Sequence, residues 1–144
     1  MNDHTTFCTF RVDGHWIGVE VVNVQEVLRH HPVTALRWAN DAVQGLLNLR
    51  GQIVTAVDLR SALGLPPRSE GQRPTQVVVR VGAAVVSLWA DEVGDVVELE
   101  NSRFERTPGT LPRMSRDLIR GVYRLDHQLL LALDLSRVLG AVTI

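Results

Sequence analysis

The histidines and the cysteine are the first residues to consider for chemistry in this chain of 144 residues. The five histidines and the single cysteine show no spacing that would gather two pairs of metal ligands on one helix or strand. His30 and His31 are adjacent, so in a strand they point to opposite faces. Cys8 lies in an apolar stretch without a basic neighbour, which favours a buried thiol over a nucleophile. We therefore expect solvated histidines, no metal site and no cofactor.

The serines and aspartates give an equally weak signal for catalysis. No serine lies in a G-x-S-x-G motif, and the chain has no P-loop and no G-x-G-x-x-G. Asp58 and Asp134 could be taken as a pair of catalytic carboxylates. Each, however, precedes a short apolar run that ends in glycine, which is the pattern of a helix N-cap. We expect two structural caps and no enzymatic activity.

Arg50 is the one polar residue that stands out, because it interrupts the apolar stretch 45–64, GLLNLRGQIVTAVDLRSALG. With Gly51 it occupies the position of a hairpin turn. An arginine there would present a planar fork of five donors to a partner. A solvated turn arginine beside a permissive glycine explains the same residues equally well. Chemistry alone leaves the two interpretations open.

The chain contains an internal repeat. Residues 45–64 align without gaps to 121–140, with eight of 20 positions identical, at an offset of 76. A weaker match joins 10–28 to 79–97 at an offset of 69. The second copy is therefore seven residues longer after Val97, in a stretch whose prolines and glycine predict a loop.

The elements that must position these residues are mostly strands. Alternating or continuous apolar runs predict about ten strands, five in each copy, with hairpin turns at Gly14, Gly51, Gly82 and at 126–127. Residues 77–79 are apolar at every position, as in a strand that is covered on both faces. Short helices are expected over 59–63 and 135–139, closed by Gly64 and Gly140.

The fold class expected is mostly β, with two small antiparallel barrels that share a core. The chain should form one domain, 7–140. We expect the first barrel over approximately 7–65 and the second over approximately 74–140, joined by a polar connector at 64–74, and strands could be exchanged between the barrels.

Comparison of the two copies separates fold from function. What both copies keep, such as the aliphatic strands and the capping aspartate, is what the fold requires. Asn48, Arg50 and Gly51 are replaced in the second copy by Arg124, Asp126 and His127. These three residues are therefore free to serve a partner.

The stretches GVEVVNVQEVL, 18–28, and GLLNLRGQIVTAVDLRSALG resemble the CheW-like domain of bacterial chemotaxis coupling proteins. In the second half, VVSLWADEVGDVVEL and LIRGVYRLDHQLLLALDLSRVL resemble the same family. The resemblance implies two SH3-like five-stranded barrels. It also implies an adaptor without catalysis that joins the chemoreceptor cytoplasmic tip to the regulatory domain of the histidine kinase CheA. The receptor-binding positions that it implies, with those from the repeat comparison, are Val24, Glu26, Val27, Gly45, Asn48, Arg50 and Gly51.

Several positions depart from the family pattern, among them Thr55 where proline is usual and His127 where glycine is usual. They suggest a divergent member, which could serve pili or surface motility. Two alternatives remain, a module for another signalling scaffold and nucleic-acid binding through the arginine-rich block 103–124. A net charge of −1 and scattered aromatics argue against nucleic acid. The first residues show no basic and apolar regions of the kind that secretion requires, and no apolar run is long enough to span a membrane, so we expect a cytoplasmic protein that is recruited to receptor arrays without inserting into the membrane.

Overall fold

The computed structural model describes residues 3–29, 31–35, 41–107, 109 and 113–142, and for 113–115 the backbone only. His30, for which a solvated side chain was predicted, lies outside the described residues, as do the prolines of the expected loop after Val97. Within them, the chain forms twelve strands and three short α-helices. The strands are β1 His4–Val12, β2 His15–Glu20, β3 Val24–Arg29, β4 Thr34–Ala35, β5 Val43–Leu49, β6 Gln52–Asp58, β7 Thr75–Val81, β8 Ala84–Ala90, β9 Glu92–Glu100, β10 Phe104–Glu105, β11 Ile119–Leu125 and β12 Gln128–Leu133. The helices are α1 Leu59–Ala62, α2 Arg113–Leu118 and α3 Leu135–Ala141.

The strands form two six-stranded sheets, which we call barrel I and barrel II. Barrel I has the order β3-β7-β8-β6-β5-β4, and barrel II has the order β10-β11-β12-β2-β1-β9. The expected fold class, a mostly β chain with two small barrels and few helices, is confirmed. Two details differ from the expectation. Each sheet has a sixth strand of two residues, and each contains one parallel pair, β6 with β8 and β12 with β2.

The barrels cut across the two sequence repeats. Barrel I takes β3–β6 from the first copy and the β7–β8 hairpin from the second, while barrel II takes β9–β12 from the second copy and the β1–β2 hairpin from the first. The boundaries 7–65 and 74–140 therefore mark the repeats and not the barrels. The parallel pairs form where the hairpins are exchanged. The β7–β8 hairpin joins barrel I beside β6, the last strand of the first copy, and the β1–β2 hairpin joins barrel II beside β12, the last strand of the second copy.

The apolar residues form three clusters, one between the barrels and one inside each barrel. The shared cluster includes Phe10, Ile17, Leu88 and Leu131, which come from both barrels. Strand β7 contributes to two clusters, because Val77 and Val79 face the shared cluster and Val78 faces the interior of barrel I. All three valines are fully buried. The prediction that 77–79 is covered on both faces is confirmed.

Both capping aspartates lie at the N-termini of short helices. The Asp58 carboxylate accepts a hydrogen bond from the Arg60 N–H (3.0 Å), and the Asp134 carboxylate accepts one from the Arg137 N–H (3.1 Å). After α1 the chain turns at Gly64, with a positive φ of 74°, and two prolines follow. The predicted stop at Gly140 is wrong, because α3 continues to Ala141. No proline follows Gly140, so nothing comparable ends that helix.

The predicted hairpins are present between β1 and β2, β5 and β6, β7 and β8, and β11 and β12. The insertion in the second copy was expected to be a loop only. After β10, which is the counterpart of β4, its described part holds helix α2. A composition rich in arginine does not exclude a short helix, because arginine is a good helix former.

Candidate partner-binding site

The turn between β5 and β6 is a two-residue turn built by Arg50 and Gly51. Their φ angles are 53° and 83°. Two consecutive positive φ values are typical of the type I′ hairpin turn, which matches the twist of the flanking strands. Asn48 supports the turn, since its side-chain oxygen accepts a hydrogen bond from the Gly51 N–H at 2.9 Å. Asn48 and Gly51 thus hold Arg50 at the tip of the hairpin.

Arg50 and Glu26, which are far apart in the sequence, form an ion pair in which Nη1 of Arg50 lies 2.5 Å from Oε2 of Glu26. The Arg50 side chain is 71% exposed, whereas that of Glu26 is only 17% exposed. The other carboxylate oxygen of Glu26 is buried, and no described residue hydrogen-bonds to it. The pair therefore combines an accessible guanidinium with a carboxylate that is largely removed from water.

Strand β3 alternates between a covered and an open face. Glu26 and Leu28 lie on the covered face, and Val27 lies on the open face with 40% of its surface exposed. Val24 is half-buried and packs against the shared cluster, and the register with β7 shifts between Val24 and Glu26. Of the two predicted valines, Val27 offers accessible apolar surface, whereas Val24 contributes mainly to packing.

Gly45 has a steric role near the other end of β5, roughly 17 Å along the strand from Arg50 at about 3.3 Å per residue. A Cβ atom on Gly45 would lie 2.0 Å from the carbonyl oxygen of Thr34 in β4. Its counterpart in the second copy, Gly121, faces β10 in the same way, with a Cβ 2.2 Å from the Phe104 ring and 2.6 Å from the Glu105 carbonyl oxygen. Both glycines allow a two-residue strand to pair closely.

Among the described residues, three large apolar side chains that are exposed, Val22, Ile53 and Val96, were not among the predicted site residues. Ile53 is 60% exposed and lies opposite Asn48 in the β5–β6 hairpin, and Val22 is 84% exposed just before β3. The alternation of β6, with Val54 buried, would have placed Ile53 outward. Ile53 adds apolar surface to the hairpin that carries Arg50.

His31 is not the solvated residue that the sequence suggested. It is half-buried, and its Nε2 lies 3.2 Å from the carbonyl oxygen of Asn48. The buried Gln76 donates a hydrogen bond to the His31 carbonyl oxygen (2.9 Å) and accepts one from the Ser87 hydroxyl (2.8 Å). This chain of hydrogen bonds holds the segment after β3 against the hairpin.

The described part of the arginine-rich block 103–124 does not resemble a surface for stacking bases. Arg124 pairs with Glu105 (3.1 Å) and Arg120 lies 3.8 Å from Glu20. The aromatic rings of this region, Phe104 and Tyr123, pack on each other edge to face, and Tyr123 is buried. Binding of single-stranded nucleic acid needs exposed rings beside free cations.

The hairpin tip and β3 together make a small mixed surface, in which an accessible cation lies near exposed aliphatic side chains. Among the described residues, no three His, Cys, Asp or Glu side chains gather as metal ligands would. Such a surface suits contact with another protein.

Comparison with known proteins agrees with this fold. Residues 6–143 match the CheW-like domain family. The chain belongs to this family. It is 27% identical over 127 residues to a probable chemotaxis protein CheW of Rhizobium etli, covering 88% of this chain and 82% of that protein. It is 26% identical over 135 residues to the chemotaxis protein CheW of Klebsiella aerogenes, covering 94% and 81%.

A solved structure shows the same fold. The scaffolding protein TtCheW of Thermoanaerobacter tengcongensis aligns with a TM-score of 0.80 and 19% identity, over 90% of this chain and 88% of that one. In the part of the chain that the structure describes, no helix is both long and apolar enough to cross a membrane. The resemblance to the CheW-like domain, drawn from the motifs, is confirmed.

Proposed function

We propose that this chain is a non-enzymatic signalling adaptor that couples chemoreceptors, the methyl-accepting chemotaxis proteins, to a CheA-type histidine kinase. The family match and the relatives, which are named chemotaxis protein CheW, support this role. Its place would be the cytoplasm, at receptor arrays. The pathway would be chemotaxis or a related chemosensory system such as one that controls pili or surface motility.

The observation that carries the proposal is the Arg50–Glu26 pair beside exposed aliphatic side chains. The guanidinium is held at the hairpin tip by the turn and by Glu26, so little conformational freedom is lost when a partner binds it. Val27 offers apolar contact on β3, the strand that carries Glu26. In this arrangement Asn48 and Gly51 shape the turn, while Val24 and Gly45 shape the strands around it.

A surface of this size favours modest affinity for one receptor. The exposed aliphatic residues around it are few, and the ion pair is open to solvent at Arg50. An adaptor in an array compensates for weak single contacts, because linked contacts raise the effective concentration of the partner. A modest affinity for a single receptor fragment is therefore what the proposal expects.

The experiment measures binding of the purified protein to a receptor-tip fragment and, separately, to the kinase regulatory domain. Arg50→Ala should weaken receptor binding about tenfold, as expected for the loss of a central arginine contact. Arg50→Lys should bind the receptor tip more weakly than wild type and more tightly than Arg50→Ala, since lysine keeps the charge and loses the planar fork. The matched control is Asp126→Ala, at the equivalent turn of barrel II, which should leave receptor binding unchanged.

Two results would count against this proposal, one against the adaptor function and one against the binding site. The first is a wild-type protein that binds neither receptor tip nor kinase domain. The second, which would overturn the site alone, is an Arg50→Ala variant that loses receptor binding only because its folding midpoint collapses.

A further inference from the structure

Five charged side chains form a largely buried network at one of the two places where the chain crosses between the barrels. We call it the Asp91 network, and its members are Asp13, Asp58, Arg60, Arg68 and Asp91. Asp91 is the single residue between β8 of barrel I and β9 of barrel II. Its side chain is 10% exposed, and those of Arg60 and Arg68 are 11% and 8% exposed.

The bonds of Asp91 reach both barrels. On the side of barrel II, its carboxylate accepts a hydrogen bond from the backbone N–H of Asp13, in the β1–β2 turn, at 2.7 Å. On the side of barrel I, it accepts three from Arg60, which follows β6, with Nε–Oδ1 at 3.0 Å, Nε–Oδ2 at 3.2 Å and Nη2–Oδ2 at 2.7 Å. The carboxylate therefore ties the hairpin of one barrel to the helix of the other.

The connector between the repeats is held by the same network. Arg68 donates a hydrogen bond from Nε to Asp91 (3.0 Å) and lies 3.4 Å from the Asp58 carboxylate. Arg60 donates to the carbonyl oxygen of Pro66 at 3.0 Å. The connector, residues 64–74, is thus bonded to the crossing at Asp91.

Among the described residues, the second crossing, between β2 and β3, has no such buried network, and its polar contacts are an Asn23–Arg80 carbonyl hydrogen bond (3.0 Å) and the exposed Arg120–Glu20 pair (3.8 Å). At the repeat offset of 69 the counterpart of Asp91 is Val22, and at the offset of 76 the counterpart of Arg60 is Ser136. Val22 is 84% exposed. A cleft of about 240 Å³ opens at this crossing and is lined in part by Asn23, Val81 and Ser136.

We propose that the Asp91 network is a latch that fixes the orientation of the two barrels at one crossing, and that the crossing at Val22 is unlatched. The shared apolar cluster holds the barrels together without strong directional preference. Bidentate arginine–carboxylate bonds are directional, and they specify one geometry where apolar contacts tolerate several. The inference goes beyond the adaptor function and does not depend on it.

The test measures the distance distribution between one spin label on each barrel by double electron–electron resonance. Ile53→Cys in barrel I and Val96→Cys in barrel II supply exposed label sites, at 60% and 59% exposure. The buried Cys8 is replaced by alanine in every protein. The background protein should give one narrow distribution, and Asp91→Asn should broaden or shift it. Arg68→Gln leaves the Arg60–Asp91 hydrogen bonds in place, so it should broaden or shift the distribution less. It replaces Asp91→Asn in the test if that variant does not fold.

A transplant of the latch gives the sharpest test. In the Asp91→Asn protein, the double change Val22→Asp with Ser136→Arg places the acid and the arginine at the equivalent crossing and should narrow the distribution again. Asp134→Asn, which alters the cap equivalent to Asp58 outside the network, should leave it unchanged. A distribution that stays narrow in folded Asp91→Asn and Arg68→Gln proteins would overturn the latch, even if both variants melt at lower temperature.

Discussion

Barrel I and barrel II are built from equivalent strands, yet they differ at two equivalent places. At the β5–β6 turn of barrel I, Arg50 has a positive φ and pairs with Glu26. At the β11–β12 turn of barrel II, Asp126 and His127 have no positive φ, and the position equivalent to Glu26 holds Asp95. Two acids cannot form the pair. In our proposal, a few side chains therefore give barrel I a binding surface that barrel II lacks.

The two crossings between the barrels also differ, in the burial and bonding of their side chains. The crossing at Asp91 buries charges and bonds them, while the crossing at Val22 leaves an aliphatic side chain in water. The two crossings occupy equivalent positions of the repeat, and single residues distinguish the bonded crossing from the exposed one. Substitutions at paired positions can measure each difference.

The largest effect is expected from breaking the Asp91 network. Asp91→Leu leaves Arg60 and Arg68 largely buried without their carboxylate, which should lower the free energy of unfolding by about 3–5 kcal/mol. Val22→Leu, at the equivalent crossing, should change it by less than about 0.5 kcal/mol, because the site is exposed. Urea unfolding of both variants measures the difference. Equal losses would show that the two crossings are energetically alike.

Gly45 and Gly121 occupy equivalent positions in the two barrels, so substituting either should lower stability by a similar amount. Gly45→Ala and Gly121→Ala each push a Cβ into a two-residue strand, so each should cost about 1–3 kcal/mol. Thermal unfolding measures both. If Gly45→Ala abolishes receptor binding and leaves the midpoint unchanged, Gly45 acts through direct contact and not through the packing of β4.

Acid pH should remove the stability that the ionised Asp91 carboxylate contributes to the folded protein. Burial raises the pKa of Asp91, but hydrogen bonds from Arg60, from the Asp13 amide and from Arg68 outweigh it, so the pKa of Asp91 is lowered in the folded protein. A lowered folded pKa stabilises the protein above the unfolded value of about 3.9, and this stability is lost as the pH falls through the folded pKa. The stability difference between wild type and Asp91→Asn should therefore be constant from neutral pH to about 5 and shrink below about 4. A difference that grows on acidification would contradict this sign.

The smallest effect concerns the two hairpin turns. Arg50→Gly and Arg50→Ala both remove the guanidinium, so their stabilities differ only through the backbone. At a φ of 53° glycine should be more stable than alanine by about 1 kcal/mol. At Asp126, which has no positive φ, the order should reverse by a few tenths of a kcal/mol. Chemical unfolding of the four variants decides, and the same order at both turns would mean that the turns do not differ.

Local pattern predicted much of the fold. Periodicity and turn residues placed the longer strands, their hairpins and the capped helices, since these depend on neighbours within a few residues. The extra helix α2 was missed because prolines and glycine around it favour a loop. In the site, the comparison of copies singled out Arg50, but Ile53 was passed over as an ordinary strand residue.

By itself the sequence determined the repeat, the β-rich class and the residues by which one copy differs from the other. Only the tertiary structure decided the exchange of hairpins between barrels, the contact of Glu26 with Arg50 and the meeting of Arg60, Arg68 and Asp91. Local pattern reports which face of an element is apolar. It carries no information on which distant element lies opposite, because that depends on how whole sheets pack around a common core.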